Sequence, residues 1–410
     1  MSTTAAVDGI TAFFTRAPDA LDDPAAIFRA LRAGGPAIWV GGPPGGPPWL
    51  NAWHLIGYDA VATALRDPRL SSARDMTAPA RAAGPPTDNP KLAFLFRVGR
   101  HMMITRDAPA HTRLRGLVNT AFTPRVVARM GDGIAASVAN LLDAAQARGG
   151  ELDVMRDLAY PLPAIVIARL LGLPETEWPM FKRWSDGLIG GALSDAQIDN
   201  FYELGRYLQQ AIAWRRAAPH DDLIGGLVAA RDNDDALSDD ELISQLVVLL
   251  IGGHETTSYA IGNAVRRLLQ LDGAWTGLTD DELPVAIEEL LRYDPPFQGL
   301  ARLATEDCDI GGARIQHGQS VWCWIGGANH DPARFPDPDT LHLDRADNRH
   351  LTFGVGPHFC LGAALARLEL RITLTTLRQR YPTLRLTSEQ IDWNRASFIR
   401  GPRTLPTHAA

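Results

Sequence analysis

A chain of 410 residues that is 46% hydrophobic and 21% charged has the composition of a globular protein and enough length to bury a sizeable core. Its formal net charge of −7 argues against nucleic acid as a partner, because no basic excess is available to meet phosphates. The most apolar stretch, LISQLVVLLIGG, soon reaches His254 and Glu255 and is too short for a membrane span, and MSTTAAVDGITAFF lacks the basic-then-apolar order of a secretory signal, so a cytoplasmic location is expected.

In chain order, residues 1–50 read as loop-rich and end in the turn GGPPGGPP, Gly41 to Pro48. No Gly-Lys-Ser/Thr follows, so this is not a phosphate loop. WHLIGYDAVATALRDPRL predicts a short strand and then a helix from about Asp59 that stops before Pro68. Residues 71–100, with APARAAGPPTDNP, read as a long mobile loop. Helical patterns then dominate: one from near Pro109, others over about 124–148, 161–171, 195–217 and 221–231. The clearest helix begins at Ser238, which stands at capping-box spacing from Glu241. Its apolar pattern continues to about Leu271, roughly 50 Å at 1.5 Å per residue. Gly252 and Gly253 lie near its middle, where each glycine costs about 1 kcal/mol relative to alanine. Close approach of another body, or a local distortion, is expected there. A helix over 280–293 precedes the alternating segments ARLATEDCDIGGARI and QSVWCWIGG, which predict short strands. A last helix follows Cys360, and the tail reads as strands and turns. No repeat or low-complexity linker divides the chain, so one domain over 1–410 is expected, mainly α, with a smaller β-rich portion at about 36–58, 300–326 and 384–407.

The three cysteines, Cys308, Cys323 and Cys360, contain no CxxC pair. Neither a zinc knuckle nor a disulfide framework is therefore expected. Most lone cysteines are buried small hydrophobes, but Cys360 sits in FGVGPHFCLG, Phe353 to Gly362. Glycines at 354 and 356 permit turns that aim amides at one point. A helix starting at the cysteine would favour thiolate over thiol through its orphan N–H groups and dipole. Such a thiolate is a nucleophile or a metal ligand, and a lone one suits a metal whose other ligands are not protein, as heme iron is.

FGVGPHFCLG resembles the heme-binding signature of the cytochrome P450 family, matching it at Phe353, Gly354, Gly356, His358, Cys360 and Gly362. The resemblance implies a P450 fold with the long central helix crossing over heme b. It makes Cys360 the axial ligand of the heme iron, Phe353 a shield for the sulfur, and Gly362 the point where the helix passes close under the heme. GGHETT, Gly252 to Thr257, resembles the family's oxygen-activation motif, with Gly252 where alanine is commoner. By that resemblance Glu255 and Thr256 are catalytic and relay protons, and Gly253 leaves room for the cofactor. EELLR resembles the Glu-x-x-Arg element, giving Glu289 and Arg292 a structural role, with Arg345 as third partner in the meander ANHDPARFPDPDTLHLDR, where His330 replaces a frequent arginine. DAPAHTRLR resembles the helix that grips a heme propionate, through His111 and Arg115, and Arg302 and His358 join them.

The implied activity is heme-thiolate monooxygenation, inserting one oxygen atom from O2 into an organic substrate. Electrons would come from a ferredoxin and its NAD(P)H-dependent reductase, because no flavin, nicotinamide or iron–sulfur module is visible. Oxidative coupling or cyclisation, peroxide-driven oxidation and non-catalytic heme binding are the alternatives. The family's specificity surfaces fall here on Phe94, Phe96, Val98, Leu188, Val248, Gly252, Phe297, Leu300 and Phe398. That apolar set points to a hydrophobic or aromatic, natural-product-like molecule, bound by a monomer with no membrane or nucleic-acid partner.

Overall fold

The computed structural model describes residues 3–43, 47, 49–73, 87–149, 151–185, 194–232, 235–395 and 399–409. Two compact units share the chain. Met1–Ser72, Tyr259–Cys360 and Arg378–Ala410 form the first, and Ala73–Ser258 with Leu361–Leu377 form the second.

The first unit is built on a five-stranded sheet in the order Ala37–Val40, Ala52–Leu55, Ser320–Trp324, Gly299–Ala304, Leu70–Ser71. Every neighbouring pair is antiparallel except Ala52–Leu55 with Ser320–Trp324, which is parallel. Side chains alternate between faces with period two. Val321 and Cys323 accordingly enter one buried cluster with Leu55, Leu65 and Leu351, while Trp324 joins Phe13, Phe28 and Leu31 in another. Residues 1–50 are not loop-rich as the sequence suggests: Thr3–Phe14, Pro18–Asp22 and Pro24–Arg32 are helices. The Asp23 carboxylate accepts from the Ala26 N–H at 3.1 Å, directly before a proline at the first helical position. Phe13 meets Trp324 edge-on at 5.0 Å and Phe14 stacks on Trp49 at 4.7 Å, so partners remote in sequence or outside the helix fix these segments.

The second unit is helical. Pro161–Leu171 is buried on nearly every side, as a helix without a polar face must be. The expected spans 161–171 and 195–217 coincide with helices Pro161–Leu171 and Asp195–Ala217. The span 124–148 is two helices, Pro124–Arg129 and Gly131–Arg148. The reading of 71–100 as a loop is corrected over its last part. Pro90–Gly99 is a helix, capped by Asn89, whose side chain accepts from the N–H groups of Lys91 and Leu92 at 3.0 and 3.3 Å. Residues 74–86 lie outside the described residues. Phe94 anchors this helix, packing edge-on against Tyr202 at 5.4 Å. A Cβ on Gly205 would sit 2.3 Å from the Phe94 ring. Gly205→Ala is therefore expected to destabilise the protein by about 1–3 kcal/mol, the cost of overpacking, measured as a lower urea midpoint.

The central helix, Asp239–Gln270, runs 32 residues. Ser238 and Glu241 exchange hydrogen bonds at 2.9 and 3.2 Å, the reciprocal cap that their spacing predicts. Its acidic first turn is answered by Arg216 on Asp239 at 2.5 Å and Arg113 on Glu241 at 2.8 Å. Among the described residues no helix is long and apolar enough to cross a membrane.

Candidate active site

In the first unit, the segment before Cys360 is wound into a turn by its own backbone. Gly354 N–H donates to the Leu351 carbonyl at 2.8 Å, Phe359 N–H to Gly356 at 3.0 Å, and Cys360 N–H to Phe353 at 2.8 Å. Gly354 and Gly356 take φ of 66° and 77°, the left-handed region that suits glycine. At Gly356 a Cβ would also press to 2.9 Å from the Leu65 carbonyl oxygen. Cys360 is exposed and in no disulfide, whereas Cys308 and Cys323 are buried. Burial pushes the Cys323 thiol up to about 11, which makes it inert as a nucleophile. The expected helix start at Cys360 is corrected: the helix is Ala363–Arg380, and the Gly362 carbonyl accepts its first N–H, from Ala366, at 2.9 Å. The cysteine precedes the helix because its own N–H is already taken by the turn.

Glu289, Arg292 and Arg345 come together. Arg292 is fully buried and grips the Glu289 carboxylate through two bonds of 2.7 and 2.8 Å. Arg345 adds 3.0 Å to the same group, and the Asn348 amide and His342 N–H also donate to it at 3.0 Å each. A buried charge pair is tolerable only when its remaining lone pairs and protons are satisfied, and here they are. Arg292 further donates to the Asn329 carbonyl at 2.7 Å, and the Asn329 side chain accepts from Leu351 N–H at 2.7 Å. The triad thus reaches the Cys360 turn through one residue. His330 lies between the Asp339 carboxylate and the Tyr293 carbonyl, 2.9 Å from each.

Arg302 is buried in strand Gly299–Ala304, opposite Val321, and donates to the Ala301 carbonyl at 2.9 Å. Phe353 and His358 are half-buried, and the Phe353 ring lies 6.0 Å from that of His350. Phe297 and Leu300 are half-buried as well, and Phe297 forms a β-bridge with Ile399. Phe398 lies outside the described residues.

Sequence reasoning missed a cluster beside Phe297. Asp294 is buried and receives Arg266 at 2.5 Å, Arg267 at 3.0 Å and Arg400. Arg400 also donates to the Leu21 carbonyl at 2.6 Å and stacks over Trp393 at 4.0 Å. Burial alone would raise the Asp294 carboxyl, but the charges of Arg400, Arg267 and Arg266 outweigh it and hold it well below the usual range. The only sequence signal is an acid directly before Pro295-Pro296.

In the second unit, the middle of the central helix has two unlike sides. Gly252 is exposed within a buried stretch, and a Cβ there would meet nothing within 4 Å. Thr256, half-buried, donates its hydroxyl to the Gly252 carbonyl at 2.6 Å. On the packed side, a Cβ on Gly253 would lie 3.3 Å from Ile167. Glu255 is buried. Val248, two turns earlier, is buried too, Phe96 is half-buried, and Val98 is fully buried. Phe94 is held in packing against Tyr202, as described above. Leu188 lies outside the described residues. His111 is buried and Arg115 half-buried on the helix Ala110–Asn119, and burial together with the Arg115 charge lowers the His111 imidazole. Among the described residues no group of three or more His, Cys, Asp or Glu side chains is placed to hold a metal ion.

The comparisons with known proteins agree on one family. The family model "Cytochrome P450" matches residues 283–402. Cytochrome P450 107B1 of Saccharopolyspora erythraea is 38% identical over 87% of this chain and 89% of its own. Nocardicin C N-oxygenase of Nocardia uniformis is also 38% identical, over 94% and 96% respectively. Among solved structures, P450BioI in complex with acyl carrier protein ligated to hexadec-9Z-enoic acid superposes with a TM-score of 0.85 at 34% identity, covering 96% of this chain and 100% of that one.

Proposed function

Because this chain belongs to the cytochrome P450 family and is a heme-thiolate monooxygenase, we propose that Cys360 supplies the axial thiolate to heme b, and that Glu255 and Thr256 hold and pass the protons that its reaction consumes. The observation that carries this reading is the turn at Cys360, which spends its glycines and amides on presenting one exposed sulfur. The residues present suit the cofactor. A planar macrocycle needs an uncovered strip of helix, and Gly252 is uncovered where the stretch before it, Val248 to Ile251, is buried. Two propionates call for cations and donors, and His111, Arg115, Arg302 and His358 are the candidates. Bound heme supplies oxygen activation, with the thiolate pushing electron density toward O–O cleavage.

Within the chain, the Thr256 hydroxyl spends its proton on the Gly252 carbonyl at 2.6 Å, which fixes its rotamer and turns its lone pairs outward. The Glu255 carboxyl lies one residue earlier, buried and therefore sparingly hydrated. An acid beside an alcohol serves general acid–base chemistry through one water. Thr256→Ala is expected to raise the hydrogen peroxide released per NAD(P)H oxidised by roughly tenfold, less than the roughly 100-fold or more that a general acid–base group contributes to rate, because Glu255 stays in place. Unchanged coupling would remove Thr256 from the relay.

The substrate we propose is a hydrophobic or aromatic, natural-product-like molecule, on the strength of Phe96, Val98, Val248, Phe297 and Leu300. A relative of this chain N-oxygenates nocardicin C, and another was captured with a carrier-bound fatty acid, so the family's chemistry spans such molecules. Titrating a metabolite library against the Soret band tests the class, because a compound that displaces the distal ligand shifts the band. For electron supply we propose a ferredoxin with its NAD(P)H-dependent reductase, in the cytoplasm and with the enzyme as a monomer. Arg349, whose side chain is 84% exposed, is a candidate for meeting an acidic ferredoxin, together with Arg367 and Arg371. The Glu255–Thr256 pair supports insertion of one oxygen atom from dioxygen over peroxide-driven oxidation, while oxidative coupling uses the same pair.

A further inference from the structure

His254 stands between Gly253 and the Glu255–Thr256 pair, and nothing above gives it a task. It is buried within the second unit, and both ring nitrogens are engaged. Nε2 lies 3.2 Å from the Tyr160 carbonyl, just ahead of the helix Pro161–Leu171. Nδ1 lies 2.9 Å from the Ser185 hydroxyl, at the last residue of the helix Trp178–Ser185. A carbonyl can only accept, so Nε2 carries the proton; Nδ1 is then the acceptor, and the one Ser185 hydroxyl proton is shared between it and the Lys182 carbonyl at 3.1 Å. Burial, with the Lys182 charge adding to it, pushes the imidazole down to about 3, so it stays neutral at working pH. The Lys182 ammonium itself caps the Tyr160 ring at 4.5 Å, binding the same two helices at the same corner.

The turn that His254 belongs to is a weak part of the central helix. It contains two adjacent glycines, which cost helix stability. It also carries two hydroxyls bonded back one turn, Thr256 to the Gly252 carbonyl at 2.6 Å and Ser258 to the His254 carbonyl at 2.9 Å, a pattern that loosens and bends helices. A segment so built keeps its shape only if something outside the helix holds it, and among its described hydrogen bonds the two made by the His254 ring reach other helices.

We propose that His254 is a positioning residue: it latches the Gly252–Ser258 turn to the helices of Tyr160 and Ser185, and so fixes where Glu255 and Thr256 stand. This rests on the relay reading of that pair, and the test separates the two. In the heme-loaded protein, His254→Ala is expected to speed backbone hydrogen exchange in peptides covering 250–258 by roughly tenfold, and Ser185→Ala by roughly threefold, the loss of two bonds against one. Peptides from the helix Gly131–Arg148 should not change. His254→Gln, whose amide can still donate to the Tyr160 carbonyl, should return exchange to near the wild-type rate. With the library compound that gives the largest Soret shift as probe, peroxide released per NAD(P)H should rise in His254→Ala and fall back in His254→Gln. Unchanged exchange at 250–258, an acceleration spread equally over the unit's other helices, a glutamine variant no better than alanine, or loosened exchange with intact coupling would each overturn the latch. Thr256→Ala serves as the control: intact coupling there sinks the relay, while the exchange data still judge the latch.

Discussion

Cys360→Ser is expected to abolish the red-shifted Soret band of the ferrous carbon-monoxide complex, for which the family is named, and to remove essentially all monooxygenase turnover. Serine is nearly isosteric, and the turn is held by backbone bonds, notably Cys360 N–H to the Phe353 carbonyl at 2.8 Å. The fold should therefore survive with a thermal midpoint close to wild type. What is lost is the donor: a serine hydroxyl is not deprotonated near neutral pH, so it cannot supply the electron push that a thiolate does. Cys323→Ser is the matching control and should keep the band, because that thiol is buried in the sheet of the first unit. Persistence of the red-shifted band in Cys360→Ser would mean that another residue supplies the ligand.

Asp294→Asn should be strongly destabilising, by about 3–5 kcal/mol, the cost of breaking a buried charge pair. Arg266, Arg267 and Arg400 all converge on this one carboxylate, and the first and last of them are buried. Without it, the two buried guanidiniums of Arg266 and Arg400 lose the carboxylate they are paired with. The pH dependence follows from the lowered carboxyl. A depressed folded-state value contributes stability that is full above the unfolded carboxylate's own pKa. It declines as pH falls below that value, and it is lost once pH drops through the folded one. The gap between wild type and Asp294→Asn in urea unfolding should thus be constant from pH 8 to about 5 and narrow only in stronger acid. A gap that closes already near neutrality would point to a titrating partner other than Asp294. The same cluster fixes the backbone that carries Phe297, since Arg400 N–H donates to the Pro296 carbonyl at 2.7 Å. A variant that folds should for that reason also show altered Soret titrations.

Much of this was legible in the residues. Signals carried by a few adjacent residues are unambiguous. Ser238 and Glu241 announce a helix start, and Pro161 to Leu171 is apolar throughout. The Cys360 signature and the Glu289–Arg292 spacing were equally plain, being short motifs in which each residue type has one physical use. The helices over 1–50 were missed because Ile10, Phe13 and Phe14 form only two turns of apolar pattern among glycines and prolines, and the partners that settle the matter, Trp49 and Trp324, come later in the chain. The helix Pro90–Gly99 has a sound start signal in Asn89-Pro90, but the Pro- and Gly-rich run directly ahead of it carries the opposite signal. Asp294 and His254 could not be weighted from sequence. Each is one polar residue whose meaning lies in three or two partners from distant segments.

The five-stranded sheet has a consequence for how the chain reaches its native state. Strand Ala52–Leu55 leaves the ribosome early, yet its parallel neighbour Ser320–Trp324 arrives only after residues 56–319 have been made. Until then its edge groups are unpaired, and Phe13, Phe28 and Leu31 lack the Trp324 side that buries them. Such long-range pairing pays its loop-closure entropy before any contact rewards it, which makes folding slow and the nascent chain prone to aggregate. Soluble yield should accordingly respond more to slowed synthesis, lower temperature and chaperone supply than to surface substitutions. Chains terminated before residue 320 should be insoluble even though most helices of the second unit are already complete.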